Sequence, residues 1–178
     1  MSSELAPFNF DLKRPNQTDK SKVMYLEQLS NAFGVSGAEH EVRQIIFEAV
    51  KPYIDEWRVD TMGNLFVTRR HRIDGFDRPL QVMVAAHMDE VGFIISKITS
   101  SGQLKFKTIG GFDPRVLLGK AVVIGQKEQV PGVIGLKPIH LLKKDWQKVP
   151  DVDAMHIDIG ANNDSPSETS VGDLATFA

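Results

Sequence analysis

The sequence has 178 residues, of which 42% are hydrophobic and 25% are charged. These values are typical of a globular protein with one ordinary domain or two small ones. The formal net charge of −2 gives no reason to expect binding to nucleic acid or to anionic membranes. The sequence contains no cysteine. Disulfides, thiolate metal sites and cysteine nucleophiles are therefore excluded, and any metal would be bound through His, Asp or Glu.

The amino-terminal part predicts a polar leader, residues 1–18, followed by two helices. The leader has no apolar run typical of a secretion signal, and no segment is long and apolar enough to span a membrane, so we expect a cytoplasmic protein. Ser36 and Glu39 match a capping box at the start of the second helix, which Pro52 ends. The first helix shows one apolar face at three- and four-residue spacing: Val23, Leu26, Leu29 and Phe33.

Next, the pattern changes from helical spacing to alternation. "EWRVD" and "NLFVTRR", joined by "TMGN", predict a β-hairpin in which Gly63 has a positive φ. The almost continuously apolar "LQVMVAA" predicts a strand that is covered on both faces, as in an α/β sheet.

Beyond His87 the sequence predicts a compact β-barrel or sandwich, because short strands alternate with Gly- and Pro-containing turns. We place a domain boundary near Met88–Val91, and only "HLLKKDWQK" looks helical after it. The predicted strands are "VGFIISKI", "LKFKTI", "KAVVIG", "GVIGL", "MHIDIG" and a final "LATFA".

The strongest candidate for chemistry is His87, which lies at the end of the predicted buried strand. Strands of α/β folds present ligands at their carboxyl ends. Asp89 is close enough to accept a hydrogen bond from one imidazole nitrogen, the contact that orients a metal-binding histidine. The competing interpretation is a histidine that caps a strand-to-loop turn.

Other catalytic patterns are absent or incomplete. His156 and Asp158 repeat the His-x-Asp spacing, but "MHIDIG" is better explained as a strand with a half-exposed face. There is no G-x-S-x-G nucleophile motif, no HExxH and no Glu-Glu pair. A phosphate-binding loop fails as well, because Pro114 occupies the position where the motif before Gly119 requires glycine.

Several motifs together resemble the amino-terminal half of the glutamyl and deblocking aminopeptidases, also called tetrahedral aminopeptidases, some of which carry an endoglucanase label. The resemblance covers most of the chain, and "HMDEVGF" with "TIGGFDPRVLLG" is its most specific part. The motifs, in order, are "AFGVSGAEHEVRQII", "VDTMGNLFV", "VAAHMDEVGFIISKI", "TIGGFDPRVLLGK", "GVIGLKPIHLL" and "IDIGA".

The resemblance implies an α/β catalytic domain interrupted by a small, PDZ-like β-barrel that serves assembly into a homo-oligomer. It implies two divalent metals, zinc or cobalt, and the hydrolysis of amino-terminal residues of peptides by metal-activated water with a glutamate base. It assigns His87 as the first metal-binding histidine and Asp89, within the catalytic site, as the acid that orients it.

On this basis we expect a fold of the α/β class with an inserted barrel. Residues 19–88 would form the first part of the catalytic domain, and residues 89–178 a barrel truncated at its end. The remaining metal ligands and the glutamate base follow the barrel in the family, so we expect a truncated metallo-aminopeptidase that is inactive by itself and does not bind the metals.

Two alternatives stay open at this point. The chain could be a module that self-associates or caps other subunits, favoured by an unpaired strand edge at "LATFA". It could also be an endoglucanase-type hydrolase, which would need two facing carboxylates at a defined separation.

Overall fold

The computed structural model describes residues 20–70, 81–135, 151–161 and 168–178, with side chains from residue 25 onward. The predicted helix at 140–148 lies outside these ranges. In the described part of the chain, no helix is long and apolar enough to cross a membrane.

Two helices come first, α1 (Lys20–Asn31) and α2 (His40–Val50), and a 3₁₀ turn at Lys51–Tyr53 follows α2. Val42 of α2 is buried. The predicted buried face of α1 is wrong for Leu26, which is 69% exposed, since no described segment covers it. Phe33, just after α1, is buried.

The predicted hairpin is confirmed. Strands β1 (Glu56–Val59) and β2 (Leu65–Thr68) pair in antiparallel register, and Gly63 in the turn has a φ of 85°. Such a positive φ favours glycine, which lacks the Cβ that would clash. Phe47 of α2 packs on Trp57 of β1, with ring centroids 4.6 Å apart.

The strand predicted at Leu80–Ala86 is not formed over its described residues, 81–86. Residues 81–89 belong to no strand, and Val82, Met83 and Val84 are 74%, 89% and 90% exposed. A strand requires a hydrogen-bonded neighbour, and none of the described strands pairs with this segment. Apolar sequence alone therefore does not decide this element.

The second half is a closed, antiparallel barrel in the order β3-β4-β7-β6-β5-β8. The predicted strands are confirmed at these bounds: β3 (Gly92–Ile98), β4 (Leu104–Ile109), β5 (Ala121–Ile124), β6 (Val130–Gly135), β7 (His156–Asp158) and β8 (Leu174–Phe177).

The expected unpaired edge at the end of the sequence is wrong. β8 pairs with β3 on one side, where Phe93 faces Ala175, and with β5 on the other, where Val123 faces Thr176. β8 thus closes the barrel, which leaves it without an open edge. The core fills the interior with side chains from every strand and from two turns: Phe93, Ile95, Leu104, Phe106, Leu117, Val122, Ile124, Ile134, Met155, Ile157 and Ala175.

The barrel meets the helical region closely at the start of β3. A Cβ on Gly92 would come within 2.6 Å of Val35 Cγ2 and 2.8 Å of the Ala175 carbonyl oxygen. Only glycine fits between these neighbours, and Val35 is fully buried there. This contact brings the loop between α1 and α2 against the residues that precede β3.

Candidate functional site

His87 lies at this junction, three residues before Glu90, which bridges to Val35, and its side chain is 85% exposed. Its Nδ1 is 2.9 Å from the Asp89 carbonyl oxygen and 3.2 Å from Asp89 Oδ1. Both oxygens only accept hydrogen bonds, so Nδ1 must carry the proton. In the neutral ring, Nε2 is then left as the nitrogen with a free lone pair.

The Asp89 carboxylate contacts a second residue besides His87. Its second carboxylate oxygen, Oδ2, accepts a hydrogen bond from Ser36 Oγ at 2.6 Å. The Ser36 hydroxyl, and after it His87, lowers the pKa of the Asp89 carboxyl from its usual value. The carboxylate is therefore ionised at neutral pH and remains a hydrogen-bond acceptor toward both neighbours.

The loop between α1 and α2 supplies Ser36, and the backbone fixes its position. Val35 and Glu90 form a parallel bridge. The Ser36 N–H donates to the Glu90 carbonyl at 3.1 Å, and the Glu90 N–H donates to the Gly34 carbonyl at 2.7 Å. These bonds place the loop directly beside Asp89.

The side chain of Glu90 connects the same loop to the barrel. Its Oε1 accepts from Thr176 Oγ1 of β8 at 2.7 Å and from the Gly34 N–H at 3.4 Å. Gln126, in the turn after β5, also donates to the Ala38 carbonyl at 3.0 Å. Hydrogen bonds therefore join the loop between α1 and α2 both to Glu90, which follows His87 and Asp89, and to the barrel.

Ser36 is the site residue that sequence reasoning assigned wrongly. The predicted capping box is not formed, because the residue before α2 is Glu39, whose side chain caps no helical N–H. Glu39 instead accepts from the Gly37 N–H at 2.6 Å. The pattern "S-x-x-E" fits a capping box, but it fits equally well a serine whose hydroxyl bonds elsewhere. Here the Ser36 hydroxyl donates to Asp89, which the local sequence does not reveal.

Comparison with known proteins shows which family this chain belongs to. Residues 63–178, more than half of the chain, match the M42 glutamyl aminopeptidase family. The chain belongs to this family. The recognition from "HMDEVGF" and the accompanying motifs is thereby confirmed.

Relatives in the M42 family are aminopeptidases by name. The lysyl aminopeptidase of Pyrococcus furiosus is 30% identical over 86% of this chain and 44% of its own length. An Escherichia coli relative is 39% identical over 87% of this chain and 43% of its own length. The chain thus spans less than half the length of the curated relatives that it matches.

Solved structures give the same result for the fold. A TET aminopeptidase from a marine-sediment archaeon superposes with a TM-score of 0.77 at 39% identity, over 88% of this chain and 44% of that one. The TET1 peptidase of Pyrococcus horikoshii, which can assemble into a tetrahedron or a large octahedral shell, gives 0.69 at 31% identity, over 87% and 46%. An endoglucanase of Thermotoga maritima superposes with a TM-score of 0.70 at 36% sequence identity, over 86% of this chain and 44% of that one. The fold is a partial M42 aminopeptidase fold.

M42 membership implies bound metals, and the described side chains show which of them could bind a metal. His87 fits a ligand, because its Nε2 is free and its ring is held by a carboxylate. Within the described ranges, however, no group of three or more His, Asp or Glu side chains could hold a metal ion. The described junction therefore brings together one histidine with a free ring nitrogen and one carboxylate that contacts its other nitrogen.

The second His-x-Asp pair is part of the barrel. His156 lies in β7, as predicted, and its side chain is partly buried. Burial and the nearby Lys105 cation lower the pKa of His156 from its usual value. The residue is a neutral barrel histidine at neutral pH, in agreement with the interpretation of "MHIDIG" as a structural strand.

Proposed function

We propose that this protein supplies the first metal ligand, His87, and its orienting acid, Asp89, to the dinuclear centre of an M42 aminopeptidase. The reaction would be the hydrolysis of amino-terminal residues from peptides. The observation that supports this best is the contact between His87 Nδ1 and Asp89, which leaves Nε2 available. A zinc or cobalt ion bound there would activate water and polarise the peptide carbonyl.

The second part of the proposal concerns the domains. We propose that residues 19–88 belong to the catalytic domain and residues 89–178 to an inserted, PDZ-like barrel. The closed sheet and separate core of the barrel support this division.

We expect no peptidase activity from the 178-residue polypeptide alone. A hydrolytic zinc centre needs about three protein ligands and an open position for water. The described residues bring no such set together. The test is incubation with cobalt or zinc and an aminoacyl-anilide; turnover that His87→Ala abolishes would contradict this expectation.

The ligand role of His87 has a test that does not depend on turnover. We expect Co²⁺ additions to broaden the NMR signals of the His87 imidazole before those of the other histidines, because Nε2 is exposed and oriented. His40→Ala is the matched control, since His40 Nδ1 lies 3.3 Å from the Arg43 guanidinium Nη2 in α2 and not beside a carboxylate oxygen as in His87. Equal broadening of all histidines would count against a special role for His87.

Assembly is a second candidate function, favoured by a specific surface. Val82, Met83 and Val84 form an exposed apolar segment, and the Pyrococcus horikoshii relative assembles into shells. Contiguous exposed apolar residues mark association surfaces. The test is light scattering of Val84→Lys against Val171→Lys, a control at a residue that is 61% exposed beside β8. Only Val84→Lys should reduce association; an equal effect of both would remove this candidate.

The endoglucanase alternative has less support. In the described part of the chain, the carboxyls of Glu128 and Glu168 are hydrogen-bonded to each other, which raises the pKa of Glu128. Glycosidase carboxyls stand about 5 Å or more apart, with the substrate between them. This pair is too close for that chemistry.

A further inference from the structure

Ser36 has a contact that neither helix capping nor core packing explains. Its hydroxyl donates to Asp89 Oδ2 at 2.6 Å, while Asp89 Oδ1 faces His87 Nδ1 at 3.2 Å. Hydrogen bonds to a charged acceptor are short and about twice as strong as neutral ones. The two carboxylate oxygens of Asp89 are thus engaged by different partners.

This division of partners restricts rotation of the carboxylate. The terminal torsion of Asp is broad, so a half-exposed carboxylate with one partner could turn freely. With Ser36 on Oδ2, the plane of the group is fixed and Oδ1 stays directed at the imidazole. Oδ1 and the Asp89 carbonyl oxygen, 2.9 Å from Nδ1, then both accept from the His87 ring, so its proton stays on Nδ1 and Nε2 is left free.

The hydroxyl of Ser36 has one competing acceptor. The Glu90 carbonyl oxygen lies 3.4 Å from Ser36 Oγ, but it already accepts the Ser36 N–H at 3.1 Å. A hydroxyl has a single proton, and the shorter contact to a charged oxygen takes it. The backbone bonds to Glu90 therefore locate Ser36, and its side chain serves Asp89.

We infer that Ser36 is a positioning residue, which fixes the Asp89 carboxylate and through it the tautomer of His87. The purpose of this arrangement rests on the proposed role of His87 as a metal ligand. The positioning itself concerns only the metal-free protein, and it can be measured there.

The experiment is NMR of the nitrogen and carbon-bound proton signals of the His87 imidazole, in metal-free protein at a pH above 8. The two tautomers of a neutral imidazole have distinct nitrogen shifts. We expect the Nδ1–H form to dominate in the wild type. In Ser36→Ala its ratio to the Nε2–H form should fall, by at most roughly fivefold, because one ordinary hydrogen bond in the chain is lost while the Asp89 carbonyl still accepts from Nδ1.

Two further variants keep the inference falsifiable. Ser36→Thr retains the hydroxyl and should restore the ratio, and Ser36→Cys, a weak donor of similar shape, should lower it even if Ser36→Ala does not fold. Ser101→Ala is the control, since its hydroxyl contacts Thr99 within the β3–β4 turn. A wild-type ratio in Ser36→Ala, or in Ser36→Cys where the alanine variant is unfolded, would overturn the inference.

The tautomer measurement and the Co²⁺ titration can fail independently of each other. If Co²⁺ shows no preference for His87 while Ser36→Ala changes the tautomer ratio, the positioning stands and the ligand role fails. If Co²⁺ selects His87 while the ratio is unchanged, Ser36 is not the positioning residue.

Discussion

The barrel and the region that precedes it contain similar apolar residues but bury them very differently. The buried core cluster lies entirely between Phe93 and Ala175. In the preceding region, Trp57 is 58% exposed and Val84 is 90% exposed. The barrel closes its own hydrogen-bond ladder, so its core needs no other partner. The helices and hairpin leave apolar faces that none of the described residues cover.

This contrast teaches that the two regions have different sources of stability. A closed sheet pairs every strand and encloses a core at once. A two-stranded hairpin is marginal without further strands or a packing surface. Core substitutions should therefore be costly in the barrel and mild in the hairpin.

The largest expected effect is in the barrel core. Phe93 stacks on Phe112 at 4.9 Å and meets Phe106 and Phe177 edge-on. We expect Phe93→Ala to lower the free energy of unfolding by about 3–5 kcal/mol, through lost burial and the cavity left behind. Urea denaturation would measure it.

The matched hairpin substitution is Phe66→Ala. Phe66 is 43% exposed, and its main partner is the Arg58 guanidinium over its ring. We expect a cost of about 1 kcal/mol, the size of an exposed cation–π contact. Equal costs at the two phenylalanines would contradict the contrast between the regions.

A second test concerns how tightly the barrel is packed. A Cβ on Gly132 of β6 would lie 2.6 Å from Ile157 Cγ2 and 3.1 Å from Ile124 Cδ1, both on buried residues. We expect Gly132→Ala to cost about 1–3 kcal/mol through overpacking. Gly111→Ala, where a Cβ would meet nothing within 4 Å, should change the thermal midpoint little. A tolerated Gly132→Ala would indicate a loose barrel.

The third test breaks the link between the regions. Thr176→Val keeps the shape of the side chain but removes the hydroxyl that donates to Glu90 Oε1 at 2.7 Å. We expect a loss of about 1 kcal/mol and faster hydrogen exchange of the Gly34 amide, which shares that oxygen. Thr108→Val, a half-buried strand position on β4, is the control and should leave Gly34 exchange unchanged.

The smallest effect is electrostatic. The Arg115 guanidinium holds the pKa of the Asp113 carboxyl at about 2. Because the folded pKa lies below the usual value of 3.8, this ion pair stabilises the fold above pH 4 or so and the contribution is lost as the pH falls toward 2. Carboxyl NMR should give a midpoint near the lower value, and Arg115→Gln should move it toward the usual one. Both groups are exposed, so global stability should change little.

Much of the barrel could be predicted from the sequence. The short strands are separated by Gly- and Pro-containing turns, and "LKFKTI" of β4 also begins with the alternation of a half-buried strand. The order in which the strands pair could not be predicted in this way. Pairing of β8 with both β3 and β5 depends on contacts between residues such as Phe93 and Ala175 that are far apart in sequence.

The candidate site was predictable only in part. The hydrogen bond between His87 and Asp89 follows from their spacing, because two residues is a reach that a short side chain can bridge. Ser36 lies 53 positions from Asp89, and no local pattern connects them. Its local motif even predicts the wrong partner.

The sequence by itself determined the hairpin, the short strands and turns of the barrel, the pair His87 and Asp89, and membership of the M42 family, because all of these depend on residues that are neighbours along the chain. The tertiary structure decided three other matters: the closure of the barrel by β8, the absence of a strand at 81–89, and the attachment of Ser36 to Asp89. Each of these depends on which distant segment supplies a hydrogen-bond partner.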